Sequence, residues 1–87
     1  MSQEKSILMI LDDESAVCRA LKRTLRNRVD EIVSAENAHD AMTILESTPV
    51  THVLCDHLLG PGQPRGMELV TDWKARFPNL KKIIILT

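Results

Sequence analysis

Residues 6–14, SILMILDDE, decide how this chain folds. The run from Ser6 to Leu11 is apolar at every position after the serine, without the alternation typical of a strand that has one face in water. A continuous run of this kind is typical of a parallel strand that is covered on both faces. Because Asp12 and Asp13 close the run, it predicts a buried first strand that delivers two carboxylates to one edge of a sheet.

Amphipathic and apolar stretches alternate along the rest of the chain. Asn37 is predicted to cap the second helix, with Asp40 three positions later as a shorter version of the capping-box acid, and Pro78 ends the third helix. The resulting order βαβαβαβ predicts a parallel sheet with right-handed crossovers and helices on both faces. The predicted helices cover residues 14–26, 37–47 and 67–77, and the strands after the first cover 29–35, 51–55 and 82–87.

The first helix is predicted to be amphipathic, with acidic residues in its first turn. Asp13 and Glu14 supply that charge, which a helix N-terminus favours. Cys18 in this helix and Cys55 in the third strand lack the spacing of metal ligands and are predicted to be small core residues. The predicted buried face consists of Ala16, Val17, Ala20, Leu21, Thr24 and Leu25.

Length and charge limit the classes of function. The 87 residues suffice for one domain, covering residues 1–87, and the formal net charge of −1 gives no field that would attract nucleic acid or anionic lipid. No segment has the pattern of a secretion signal or a membrane span, so we predict a cytoplasmic protein with reduced thiols that does not bind nucleic acid directly. A basic cluster along the first helix is either a solvated face or a docking surface. It consists of Arg19, Lys22, Arg23, Arg26 and Arg28.

Acidic side chains follow two of the predicted strands, and a hydroxyl follows a third. Asp12 and Asp13 close the first strand, Asp56 follows the third, and Thr87 ends the fourth. Ligands bind at the carboxyl ends of strands in such sheets, and carboxylates that converge there repel one another unless a cation or proton intervenes. Hard oxygen ligands suit Mg²⁺, beside which Asp56 could attack phosphorus and Thr87 could donate a hydrogen bond to a phosphoryl oxygen. The alternative for a single aspartate after a strand is a turn or capping residue.

Four segments carry a resemblance to a known family. They are ILDDES at residues 10–15, VLCD at 53–56, GMEL at 66–69, and FP with IIILT at 77–78 and 83–87. In order and spacing they resemble the receiver domain of two-component response regulators. The resemblance covers the whole chain and implies a flavodoxin-like α/β fold, a three-layer sandwich with sheet order 2-1-3-4. It also implies phosphotransfer from a histidine kinase or a phosphotransfer protein, and dependence on Mg²⁺.

The same resemblance implies a role for each residue of the acidic edge. Asp56 would be the phosphoacceptor. Asp13, Asp56 and the backbone carbonyl of Leu58 would bind the metal directly, with Asp12 acting nearby or through water. Thr87 would contact the phosphoryl group.

This sequence departs from the family pattern where it ends, at Thr87. Receivers normally continue through a helix, a fifth strand bearing a phosphate-binding lysine, and a final helix. Lys81 and Lys82 stand at the wrong end of the fourth strand to replace that lysine, so we expect phosphotransfer to be impaired or absent. We also expect an uncovered sheet face, and a homodimer through that face and the fourth strand, because an open apolar edge is a template for pairing.

The loop after Asp56 departs as well, because Leu59 and Gly60 stand where receivers usually carry Met-Pro or Leu-Pro. The additional glycine and proline residues either lengthen a surface turn or alter the Leu58 carbonyl. Two other functions compete with the phosphoacceptor. One is a dimeric interaction module that has lost phosphotransfer. The other is an enzyme, which we do not expect because the chain has no Asp-x-Asp after a strand and no glycine-rich phosphate loop.

Overall fold

The computed structural model describes residues 5–56 and 62–86, with Leu86 described by its backbone only. The strands pair in parallel as one sheet with order β2-β1-β3-β4, which confirms the predicted α/β fold and strand order. None of the helices in these two ranges is long and apolar enough to cross a membrane. The elements are β1 Ile7–Leu11, α1 Ser15–Leu25, β2 Glu31–Ala35, α2 Ala38–Ser47, β3 His52–Asp56, α3 Gly66–Arg76 and β4 Lys82–Leu86.

The strand β1 lies inside the sheet and is buried at every position, as the apolar run predicts. Its alternate side chains enter two separate cores because successive residues of a strand point to opposite faces. Among the described residues, the core under α1 contains three buried side chains, those of Leu8, Ile10 and Cys18. The core under α2 and α3 is larger, and its buried residues are Ile7, Met9, Leu11, Ala35, Ala41, Leu45, Val50, Val53, Cys55 and Trp73. The two faces of the sheet are therefore unequally filled, while both cysteines are buried as predicted.

The helix α1 buries a narrower face than the sequence predicts. Cys18 is buried, and Leu21 and Leu25 pack against the same core, so the contact runs along positions i, i+3 and i+7. Ala16, Ala20 and Thr24 are exposed, which corrects the predicted face. The predicted face was wrong because the sequence does not determine how the helix is rotated about its axis on the sheet. Small residues on two adjoining sides of α1 fit an apolar face equally well.

The start of α1 also differs from the prediction. The helix begins at Ser15, so Asp13 and Glu14 precede it and its first turn contains no acidic residue. Glu14 is the N-cap residue in extended conformation, and its side chain makes no capping hydrogen bond. The helix therefore begins one residue later than predicted, and the two acids lie directly before its first turn.

Asn37 caps α2 as predicted. Its side-chain oxygen accepts a hydrogen bond from the Asp40 backbone N–H at 2.8 Å. The Asp40 carboxylate accepts from the Asn37 side-chain amide at 3.2 Å, whereas the acid of a capping box bonds the backbone N–H of the cap. A second cap comes from outside the helix, because Gln63 Oε1 accepts a hydrogen bond from the Ala38 N–H at 3.0 Å.

The strand β2 begins at Glu31, two residues later than predicted, because Asp30 is bonded to Ser6. The Asp30 Oδ2 atom accepts hydrogen bonds from the Ser6 backbone N–H at 2.7 Å and from the Ser6 hydroxyl at 3.1 Å. The Asp30 N–H donates in turn to the Ser6 carbonyl oxygen at 3.0 Å. The two bonds that the carboxylate accepts hold the pKa of the Asp30 carboxyl below its ordinary value, and the bond from the Ser6 backbone N–H has the larger effect.

Replacement of Asp30 by asparagine is expected to lower stability slightly at neutral pH and to have no effect in strong acid. Because the folded-state pKa is depressed, ionised Asp30 stabilises the fold above the ordinary pKa of about 3.9, and this contribution is lost as the pH falls through the folded-state value. Urea unfolding of Asp30→Asn and the wild type, followed by the fluorescence of Trp73, checks this at neutral pH and near pH 2. Equal urea midpoints at neutral pH would contradict it.

Candidate functional site

The topology brings the ends of β1 and β3 together at one edge of the sheet. The two strands are parallel neighbours, and Leu11 is aligned with Cys55. The next residue along the chain is an aspartate in both cases, Asp12 directly after β1 and Asp56 as the last residue of β3, so the two lie side by side. Asp13 follows directly at the same edge.

The three aspartates form one cluster. Asp12, Asp13 and Asp56 each offer a carboxylate oxygen, and these oxygens lie within 4.8 Å of one another. This spacing is comparable to the separation of about 4 Å between opposite oxygen ligands of one Mg²⁺ ion. The sequence therefore predicted correctly which carboxylates meet, and a small closure of the cluster would allow all three to contact one cation.

The three carboxylates have different surroundings. Asp12 is buried, with 8% of its surface exposed, whereas Asp56 is partly buried and Asp13 is exposed. Burial raises the pKa of the Asp12 carboxyl above its ordinary value, a hydrogen bond from the Glu14 backbone N–H opposes the shift, and the charges of Asp56 and Asp13 add to it. None of these groups is a cation. A cation bound at this edge would therefore relieve an electrostatic cost that the fold imposes on Asp12.

Backbone contacts fix the position of Asp12. Its Oδ1 atom accepts a hydrogen bond from the Glu14 N–H at 2.9 Å, and its own N–H donates to the Ala35 carbonyl at 3.1 Å. The Cys18 thiol donates to the Asp12 carbonyl oxygen at 3.6 Å. The backbone of Asp12 is thus held by β2 and α1, and its carboxylate is held by the Glu14 N–H.

The chemistry of the donors favours a hard cation. The neighbouring Cys55 is a poor metal ligand, because its pKa is raised to about 11. Burial of the thiol is the largest cause, and the charges of Asp56 and Asp12 add to it. Burial likewise raises the pKa of Cys18. With both thiols protonated at neutral pH, the donors are carboxylate oxygens, which suit Mg²⁺ better than a thiolate-seeking metal such as Zn²⁺.

Two of the predicted site residues, Thr87 and Leu58, lie outside the described residues, so the predicted hydroxyl and backbone carbonyl ligands stay predictions. The sequence did not predict the backbone groups that hold Asp12, because an N–H or a carbonyl has no residue signature. It also did not predict the contact from Gln63 to Ala38, which joins the segment before α3 to the first turn of α2. The only advance signal for that contact was an amide residue in the loop that follows Asp56.

No protein-family model matches the chain. It is similar to the hydrogenase transcriptional regulatory protein HoxA of Cupriavidus necator, with 31% identity over 85 residues that cover 98% of this chain but only 17% of that protein. Among solved structures it is similar to the MaeR response regulator bound to beryllium trifluoride, with a TM-score of 0.82 and 25% identity over 94% of this chain and 66% of that one. It is also similar to the signal receiver domain of an HD domain-containing protein from Pseudomonas fluorescens Pf-5, with a TM-score of 0.83 and 19% identity over 97% of this chain and 60% of that one.

Proposed function

Because this chain is a receiver domain of the response-regulator type, we propose that it is a signalling module that accepts a phosphoryl group on Asp56 with the help of Mg²⁺. The observation that carries the proposal is the meeting of three carboxylate oxygens within 4.8 Å at the carboxyl edge of the sheet. Asp56 is the proposed nucleophile because it stands where the resemblance to receiver domains places the phosphoacceptor, at the end of β3. The proposed location is the cytoplasm, where free thiols such as those of Cys18 and Cys55 persist.

The proposed reaction is a single transfer. A carboxylate oxygen of Asp56 attacks the phosphorus of a phosphohistidine on a histidine kinase or phosphotransfer protein. The new O–P bond forms as the N–P bond breaks, and the departing imidazole nitrogen keeps the electron pair. Mg²⁺ supplies compensation for the negative charge that accumulates on the phosphoryl oxygens.

The surrounding residues have supporting roles in this proposal. Asp12 and Asp13 would hold the cation together with Asp56. The receiver resemblance assigns the remaining metal and phosphoryl contacts to the Leu58 carbonyl and the Thr87 hydroxyl, which lie outside the described residues. The acyl phosphate stays on the chain as a signal. The module is therefore proposed to be a stoichiometric acceptor and not an enzyme with its own substrate turnover.

Treatment with acetyl phosphate and Mg²⁺ tests the proposal, with the intact mass as the readout. We expect a mass increase of about 80 Da, the mass of one phosphoryl group. Asp56→Asn and removal of the metal by a chelator should each abolish the increase. An adduct that persists in Asp56→Asn would place the chemistry elsewhere, and the lack of any adduct in the wild type would leave the second candidate function described below.

We further propose that phosphotransfer in this 87-residue chain is slow. Lys81 and Lys82 lie at the amino end of β4, at the opposite edge of the sheet from Asp56, so neither is placed to compensate phosphoryl charge. Loss of one group that stabilises a transition-state charge typically slows an enzyme by about 10²–10³-fold. A comparison of adduct formation with that of a receiver whose site has a lysine measures the effect.

The second candidate function is a dimeric interaction module, and the edge of the sheet favours it. In the described sheet β4 is an edge strand, and its Ile84 is 43% exposed although isoleucine is normally buried. Leu54, which is aligned with Ile84 on β3, is only partly buried. An open edge beside an apolar surface favours pairing with a second copy.

We predict that the chain forms a homodimer through β4 and this face at micromolar concentration. Ile84→Lys should give a folded monomer, because a charge at the edge opposes pairing. Met67→Lys is the matched control, since Met67 is 59% exposed and its helix α3 packs on the core at the opposite face of the sheet from Leu54. Analytical ultracentrifugation distinguishes the states, and a folded wild-type monomer at micromolar concentration would disprove the dimer.

A further inference from the structure

A groove with basic walls lies beside the C-terminal half of α1. It has a volume of about 390 Å³ and is lined by Lys22, Arg23, Arg26, Asp30 and Ile32. We call these five residues the basic groove. Because α1 runs back from the carboxyl edge of the sheet, the groove lies toward the amino edge, away from the aspartate cluster.

The cations of the basic groove are not paired within the described part of the chain. Lys22, Arg23 and Arg26 form no ion pair and no side-chain hydrogen bond with another described residue, and the same holds for the neighbouring Arg19 and Arg28. Several of these residues are three or four positions apart on α1, where like charges destabilise a helix. The dipole of α1 favours cations near its C-terminal end, so these residues are tolerated there without a counter-charge and stay available to an external anion.

The one carboxylate of the basic groove is committed elsewhere. The Asp30 Oδ2 atom accepts hydrogen bonds from the Ser6 N–H and hydroxyl, which are also the groups that lower its pKa. Asp30 forms no ion pair with Lys22 or Arg26. The groove thus combines three cations that have no dedicated counter-charge with a partly buried apolar side chain, Ile32.

We propose that the basic groove binds an acidic segment of a partner protein. Aspartate or glutamate side chains of the segment would lie against Lys22, Arg23 and Arg26, and an adjoining apolar side chain would contact Ile32. This site is separate from the aspartate cluster and does not depend on phosphotransfer.

Size and charge favour a short peptide segment over a nucleic acid or a membrane. A volume of about 390 Å³ is near the lower end of the range of about 300–1,000 Å³ for small-ligand clefts, enough for a few side chains. The formal net charge of the whole chain is −1, so the chain as a whole gives no field that would attract a long polyanion or an anionic membrane. A short acidic segment needs only the three cations of the groove.

Titration with a synthetic peptide tests the proposal. The probe is a glutamate-rich peptide with leucine at every third or fourth position, and a peptide with glutamine in place of glutamate is its control. We expect saturable binding of the glutamate peptide that weakens with added salt, with backbone amide shifts confined to the region of Lys22, Arg26 and Ile32. Salt acts because screening shortens the reach of exposed charges to about 3 Å at 1 M.

Two charge-matched triple variants locate the site. The combination Lys22→Gln, Arg23→Gln and Arg26→Gln should weaken binding by about threefold to a hundredfold, because each exposed ion pair contributes a factor of about 1.5 to 5. The combination Arg65→Gln, Lys74→Gln and Lys82→Gln removes the same charge from other surfaces and should change the affinity by less than about twofold. The fluorescence of Trp73 verifies that both triple variants fold. If the first combination does not fold, Arg26→Gln alone replaces it.

Three results would overturn the proposal. The first is equal binding of the glutamate and glutamine peptides, or no binding of either. The second is an equal loss of affinity in the two triple variants, which would indicate a general charge effect. The third is tighter binding of a DNA duplex or of phosphatidylglycerol vesicles than of the glutamate peptide, which would assign the groove to nucleic acid or to a membrane.

Discussion

Replacement of Asp13 by asparagine is expected to abolish the stabilisation of this chain by Mg²⁺ and to raise its melting temperature in metal-free buffer. Both effects follow from the three carboxylate oxygens within 4.8 Å of one another. Without metal, removal of one charge relieves repulsion on Asp12 and Asp56. With metal, the wild type gains about 2.7 kcal/mol when the Mg²⁺ concentration is about a hundredfold above Kd, and each kcal/mol shifts the melting temperature by about 4–8 °C in a domain of this size.

The pH dependence of this effect has a definite sign. The folded-state pKa of Asp12 is raised, first by burial, so its contribution to stability is complete below the unfolded-state pKa and is lost as the pH rises through the folded-state value. Over the same range the carboxylates become able to bind metal. The stabilisation by Mg²⁺ should therefore increase from acid to neutral pH.

Thermal unfolding with and without Mg²⁺ measures both effects. Glu36→Gln is the matched control, because Glu36 is an exposed acid directly after β2, at the same edge of the sheet but outside the cluster. It should keep the stabilisation by Mg²⁺. A metal-dependent shift that survives in Asp13→Asn would show that Asp13 does not share the cation. A lower melting temperature of that variant without metal would show that the carboxylates do not repel one another.

Replacement of Trp73 by alanine is expected to unfold a large fraction of the chain at room temperature. Trp73 is the largest of the fully buried side chains among the described residues, with 0% of its surface exposed, and it packs in the core under α2 and α3. A tryptophan-to-alanine change in a core costs about 3–5 kcal/mol. Whole domains are stable by only about 5–15 kcal/mol, and small ones lie near the lower limit.

Replacement of Trp73 by phenylalanine should be much less damaging. The indole Nε1 atom is buried and finds no hydrogen-bond partner among the described residues. A buried polar group without a partner costs about 1–3 kcal/mol, so its removal offsets part of the packing lost with the smaller ring. We expect a net loss below about 2 kcal/mol.

Circular dichroism follows both variants, since each removes the only tryptophan. Met67→Ala on the same helix is the control, because Met67 is exposed and surface changes usually stay within about 0.5 kcal/mol. If Trp73→Phe proves as unstable as Trp73→Ala, the indole N–H has a hydrogen-bond partner that stabilises the core.

The sequence predicted those features that depend on local pattern. The run from Ser6 to Leu11 identified the central strand, which begins one residue later at Ile7. The aspartates at the carboxyl ends of β1 and β3 met as expected because neighbouring parallel strands end at the same edge. The cap at Asn37 was also correct, since it depends on a residue three positions away.

Features that depend on distant contacts were not predictable in this way. The start of β2 depends on Ser6, 24 positions before Asp30, and the face of α1 depends on how the helix is rotated against the sheet. At the acidic edge the sequence predicted the carboxylates but not the backbone groups of Glu14 and Ala35 that hold Asp12. These depend on the path of the main chain, which many sequences can follow.

The unequal number of buried residues on the two faces of the sheet affects which helix opens locally. The helix α1 rests on a core with three buried residues, so among the described helices it should detach most readily, and its amide hydrogens should exchange before those of β1 and β3. Asp12 is tied to the chain at and before α1 through the Glu14 N–H and the Cys18 thiol. Each local opening of α1 would then break the contacts that hold Asp12. A cation bound to the carboxylates should in turn slow the exchange of the amide hydrogens along the whole helix.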